Sequence, residues 1–174
     1  VQLALEAREA YRFDVALEVL DDGIGYSKKI PEIAITPQLM AIKDDLRHSA
    51  EEFSKVASER TQWESVRKSP EAAANWGRYL CLTQRRWKDG LPILAEGPAT
   101  NSLAEIAKRE MRGAEKFEEV IAISDAWRSQ ADGETKPNAI SLKRHAWEVQ
   151  QQALRIADAK QLGALEVRMA REFG

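Results

Sequence analysis

Histidine, cysteine and paired carboxylates are the side chains that move protons, attack electrophiles or hold metals, and this chain has few of the first two. Its 174 residues include two histidines, His48 and His145, and one cysteine, Cys81. Asp45-x-x-His48 has the carboxylate-to-histidine spacing of di-iron helical bundles. Those sites use the motif twice with further inward carboxylates, and here Leu142 stands three residues before His145. His48 also falls beside the apolar seam of its segment, so it reads as a surface histidine. Cys81 sits between Leu80 and Leu82, with Arg78 and Arg85 a turn away on either side. Reactive thiols want a histidine and an electropositive setting; apolar neighbours favour a buried, inert one.

Longer motifs are missing. Gly23-Ile-Gly25 has Lys28 where a dinucleotide fingerprint needs its third glycine, and no strand precedes it. No Walker loop, His-Glu-x-x-His, Gly-x-Ser-x-Gly or paired Cys-x-x-Cys occurs. The acidic doublets Asp21-Asp22, Asp44-Asp45 and Glu51-Glu52 read as solvated helix faces, since nothing brings two carboxylates to glycosidic spacing. The basic pairs Lys28-Lys29, Arg85-Arg86, Lys108-Arg109 and Lys143-Arg144 lie dispersed among acids. We therefore expect no catalytic, cofactor-binding or metal-binding residues.

Composition narrows the classes further. A net charge of −2 argues against nucleic acid as the partner, because phosphate binding draws on a basic surface. One cysteine excludes an internal disulfide framework and a cysteine-rich zinc site. No apolar run approaches the roughly 20 residues that span a bilayer. The first residue is Val1 rather than methionine, so the chain reads as a trimmed piece, with exported and cytoplasmic locations both open.

The elements that would position these groups are helices throughout, with no strand pattern. Residues 1–10 are strong helix formers, and Tyr11–Asp14 reads as a turn with Asp14 capping a second helix, stopped by Pro31. From Thr36-Pro37 a long helix runs to about Lys68. Its seam is Leu39, Ile42, Leu46, Ser49, Phe53, Val56, Arg60 and Trp63, with Glu51/Lys55 and Glu64/Lys68 as outer pairs. It reads as a connector, and a dimer through 37–68 is the less favoured alternative. Ser69-Pro70 starts the next helix.

Residues 74–97 organise the rest as two short helices folded back on each other. Gly77 and Gly90 mark the close approach, and Trp76, Tyr79, Leu80, Trp87, Leu91 and Leu94 form the buried faces. Asn101 caps a helix that Gly113 stops. Phe117, Val120, Ile121, Ser124 and Trp127 mark one face of a helix over 114–131. Residues 132–137 read as a loop. Ile140, Leu142, Ala146, Val149, Ala153 and Leu154 then mark a helix, and Leu162, Leu165, Val167, Met169 and Phe173 the last. Most of the five tryptophans fall on inner faces and read as core.

Three helix pairs share a plan of small residues around large ones: Ala16, Leu20 and Gly23; Gly77, Tyr79, Gly90, Leu94 and Gly97; Ser124, Trp127, Ala146, Gln150 and Ala153. This resembles the tetratricopeptide repeat. Gly77-x-Tyr79-x-Cys81, Trp87-x-x-Gly90-Leu91-x-x-Leu94-Ala95 and Asp125-Ala126-Trp127 also resemble an α-helical region recurring in multidomain proteins of planctomycete bacteria. That likeness covers residues 70–160. Ser124, Arg128 and Val149-Gln150 depart from its pattern. It implies helical packing and a spacer or interaction role, and no catalytic residue.

The expected fold is therefore all-α: about eight helices in tetratricopeptide-like antiparallel pairs with one long connecting helix. Residues 1–174 form a single helical-repeat domain, with an N-terminal pair and long helix over 1–68 and repeat-like pairs over 69–174. The expected function is a non-catalytic protein or peptide interaction module, or a spacer, within a larger bacterial protein. The alternative is an enzyme or small-molecule-binding domain with a carboxylate–histidine pocket between helices. For the interaction reading, Asn75, Arg78, Arg85, Asp125 and Arg128 are the expected partner-binding residues. Arginine forks there would suit an acidic or C-terminal peptide segment.

Overall fold

Local chemistry sets some of the helix ends. The Ser69 hydroxyl accepts from the Ala72 amide at 3.3 Å, ahead of Pro70 in the first turn. The Asn101 side chain accepts from the Ala104 amide at 3.0 Å. Each gives one orphan donor of a first turn a partner. Gly113 stands past a helix end at φ +78°, a left-handed conformation that favours glycine.

The computed structural model describes residues 1–30, 35–65 and 69–173. Among them every regular element is helical, with no strand. In order the nine α-helices are α1 (Gln2–Glu9), α2 (Phe13–Ser27), α3 (Thr36–Glu64), α4 (Pro70–Arg78), α5 (Trp87–Leu94), α6 (Ser102–Met111), α7 (Phe117–Gln130), α8 (Lys136–Ala153) and α9 (Ala159–Phe173). A π-helical turn, Tyr79–Thr83, continues α4, and a 3-10 turn, Ala131–Gly133, continues α7.

Several local expectations are corrected. α2 begins at Phe13, so Arg12 is its cap residue and Asp14 lies inside the first turn, where its charge suits the helix dipole. The loop at 132–137 is mostly ordered. The 3-10 turn takes its start, and Pro137 falls in the first turn of α8, where a missing N–H costs nothing. Ile140 is 53% exposed, and Leu154 and Val167 are exposed as well. Lys55 pairs with Glu52 at 2.5 Å rather than with Glu51, and Glu64 pairs with Arg60. Pro31 and Lys68 lie outside the described residues.

The chain forms two compact units, residues 1–57 and residues 58 onward. In the first, Ala4, Ala7, Phe13, Ala16, Leu20, Ile24, Leu39 and Leu46 build the core. Tyr11 and Phe53 stack beside it, 4.9 Å between ring centroids. On the α3 seam Leu39, Leu46 and Ser49 are buried, and Ile42, Phe53 and Val56 are half-buried.

In the second unit α4 and α5 pack with opposed chain directions, because Gly77 meets Leu94 while Gly90 meets Cys81. A Cβ on Gly77 would lie 2.4 Å from the Leu94 amide nitrogen, and one on Gly90 would lie 2.7 Å from the Cys81 sulfur. Both glycines are thus close-contact positions. The core of this unit gathers Leu82, Leu94, Leu103, Ile106, Ile123, Trp127, Leu142 and Val149 from α5 to α8 and the π-helical turn.

Candidate functional site

Tyr79, Leu80, Cys81 and Leu82 are four consecutive buried residues. An α-helix at the edge of a core cannot bury four in a row, because its apolar stripe covers only part of the circumference. The π-helical turn holds them instead, and π turns of this kind often lie at functional sites. The chain then turns at Arg85, at φ +57°. That turn starts α5 at Trp87, whose ring reaches His145 of α8.

Trp87 lies flat on His145, with centroids 3.6 Å apart and planes 5° from parallel. Trp127 meets both rings edge-on. Beneath them Glu110 of α6 accepts from the Trp127 indole N–H at 2.6 Å, and its same oxygen lies 3.0 Å from His145 Nε2. An ionised carboxylate only accepts, so this contact puts the ring proton on Nε2. In the neutral ring Nδ1 is then a bare acceptor. It is buried and has no hydrogen-bond partner among the described residues. The nearest carboxylate oxygen on its own helix, Oε2 of Glu148, is 3.9 Å away, beyond hydrogen-bond reach.

Cys81 also belongs to this centre. Its side chain is buried, and its carbonyl accepts from the Ser141 hydroxyl at 3.1 Å. Burial pushes the thiol far above its ordinary value, and the Glu110 charge adds to the rise. A thiol held neutral is a poor nucleophile.

Beside this centre opens a cleft of about 350 Å³. Arg85, Arg86, Lys88 and Arg144 line it, against one carboxylate, Glu148. Trp87, Ile140 and Ser141 complete its walls. Arg86 is paired with Asp89 at 2.9 Å and Arg144 with Glu148 at 3.2 Å. The basic pairs that looked dispersed along the chain are therefore partly collected: Arg85-Arg86 meets Arg144 across the gap between the π-helical turn and α8.

Of the five expected partner-binding residues, Arg85 alone lines this cleft. Asn75 and Asp125 are exposed. Arg78 grips Glu134 with contacts of 2.7 and 2.5 Å, and Arg128 donates to the Gln150 side chain at 3.1 Å. Both are half-buried and bonded within the fold. Sequence spacing does not mark His145 as part of a site, because its carboxylate neighbours come from three residues later and from another helix. His48 is half-buried in the first unit. Among the described residues no three metal-ligating side chains gather, and no helix is long and apolar enough to cross a membrane.

Compared with family models, with curated proteins and with solved structures, the chain gives no match.

Proposed function

We propose that this chain is a non-catalytic interaction module that receives an acidic peptide segment in the cationic cleft. The carrying observation is the lining: four cations and one carboxylate around an indole, on a chain whose net charge is −2. Arginine forks match carboxylates in two-point contacts, and the indole offers apolar area for a peptide's side chains. The volume, about 350 Å³, fits a few side chains at the low end of ligand-pocket sizes. Four cations in one cleft do not make the extended basic stripe that tracks a phosphate backbone.

In this reading the helices pair in the tetratricopeptide manner, and the chain is an interaction or spacer piece of a larger bacterial polypeptide. The recognition face lies one step from the arginine surface expected from sequence, with Arg85 common to both. The enzyme alternative is disfavoured by what surrounds the ionisable cluster of Glu110 and the buried His145. One Glu110 oxygen is taken by both the His145 Nε2 and the Trp127 indole N–H, and Trp87 lies flat over the His145 ring.

Fluorescence anisotropy with a labelled poly-glutamate peptide tests the proposal. Wild type should bind, weakening with salt as exposed charge pairs do. Arg85→Glu/Lys88→Glu should abolish binding, whereas Arg78→Glu/Arg128→Glu acts on residues bonded within the fold and should matter less. Equal loss in both variants, or no binding by wild type, sinks the assignment to this cleft. Tighter capture of single-stranded DNA than of the peptide would turn the reading to nucleic acid.

A further inference from the structure

We infer that Glu148 is the cleft's own stand-in ligand, and that docking of an acidic segment turns it from Arg144 onto His145 with uptake of a proton. This rests on the docking reading above and adds its regulation.

The observation is the position of one carboxylate between two recipients. Oε1 of Glu148 holds the Arg144 guanidinium at 3.2 Å on the cleft side. Oε2 stands 3.9 Å from His145 Nδ1 on the core side. The first contact is exposed, with Arg144 at 71% and Glu148 at 46%, and exposed pairs are weak. The second sets a carboxylate oxygen opposite Nδ1, which in the neutral ring with its proton on Nε2 carries only a lone pair, and that nitrogen is buried and without a hydrogen-bond partner. A buried acceptor without a partner is a standing cost.

An incoming carboxylate competes with Glu148 for Arg144. Once displaced, Glu148 needs to move only about 1 Å to reach hydrogen-bond distance of Nδ1. A proton from solvent then completes the bond. His145 becomes an imidazolium that donates from Nε2 to Glu110 and from Nδ1 to Glu148. The charges balance: one negative charge arrives with the ligand and one positive with the proton. The groups facing the ring are few. α6 contributes Glu110, and α8 contributes Glu148 and, beyond it, Arg144. α5 and α7 contribute Trp87 and Trp127, which do not titrate, and the Cys81 thiol of the π-helical turn, held neutral by burial, feels the Glu110 charge.

The test is calorimetry of poly-glutamate binding in buffers of different ionisation enthalpy, from about pH 5 to about pH 8, the range in which histidine changes charge. Wild type should take up about one proton at the upper end, and its affinity should fall by up to about tenfold per pH unit there. Glu148→Gln should bind more tightly, because Arg144 is released, and should take up no proton. His145→Gln should bind with a flat pH profile. Peptide binding without proton uptake in wild type overturns the inference and leaves docking standing. So does the same uptake in wild type and Glu148→Gln. Absence of binding in all three proteins overturns docking and this inference together. Circular dichroism of each variant confirms that it remains folded.

Discussion

His145 has one nitrogen satisfied and one not, and that inequality shapes what can be expected at the scale of single residues. Glu110 is shared by the Trp127 indole and the His145 ring, so removing one donor weakens the anchor of both. Trp127→Phe replaces the buried indole by a smaller phenyl ring and deletes the 2.6 Å hydrogen bond, so urea denaturation should show a loss of about 1–3 kcal/mol or more, from the space opened in the core together with the unpaired Glu110 oxygen. Cys81 makes an independent test. Its burial predicts that thiol reagents leave it untouched in the native protein and label it on denaturation. Because the folded thiol is raised, the unfolded chain ionises first as pH climbs past about 8.5. The folded state then binds more protons than the unfolded one. The thiol's contribution to stability is thus full below that pH and declines above it. Cys81→Ala, otherwise a small volume change, should remove this part of the alkaline decline.

Elements in this protein meet through their smallest residues, and the glycines divide by what a methyl group would strike. Gly90→Leu should destabilise by about 1–3 kcal/mol or more, since the first added carbon already meets the Cys81 sulfur and Leu80 Cβ within 2.8 Å. Gly25 is the contrast. It lies inside α2 with nothing within 4 Å of the position its Cβ would take. Gly25→Ala should stabilise by about 0.5–1 kcal/mol through helix propensity and a less flexible unfolded chain. Chemical denaturation midpoints measured side by side decide both. If the two substitutions behave alike, the close approach of α4 and α5 is not what Gly90 serves. Asn101→Ala, which removes the side-chain cap of α6, should cost about 0.5–2 kcal/mol.

Over the whole molecule the prediction concerns independence. The second unit carries its own continuous core from the π-helical turn through α8 and part of α9. A fragment beginning at Ser58 should therefore remain strongly helical by circular dichroism and melt cooperatively. A fragment with a broad, non-cooperative melt would show that residues 1–57 are needed for that core.

Sequence by itself determined the helical class, the Ser69 and Asn101 caps, the Gly113 stop and the tight crossing at Gly77 and Gly90. These depend on a few neighbouring residues, or on a periodicity that survives without knowing the partner helix. It determined less where burial depends on what lies opposite. Ile140 has the right spacing for the inner face of α8 yet is exposed, because Ser141 and His145 take that face instead. The π-helical turn was also invisible, since it answers to four residues all finding core around them. Only tertiary structure decided the candidate site. Glu110, Trp127 and His145 come from three helices, and Arg85, Lys88 and Arg144 from two stretches far apart in the chain. A single sequence shows which side chains are available but not which distant ones meet, because that meeting is fixed by the packing of the whole core.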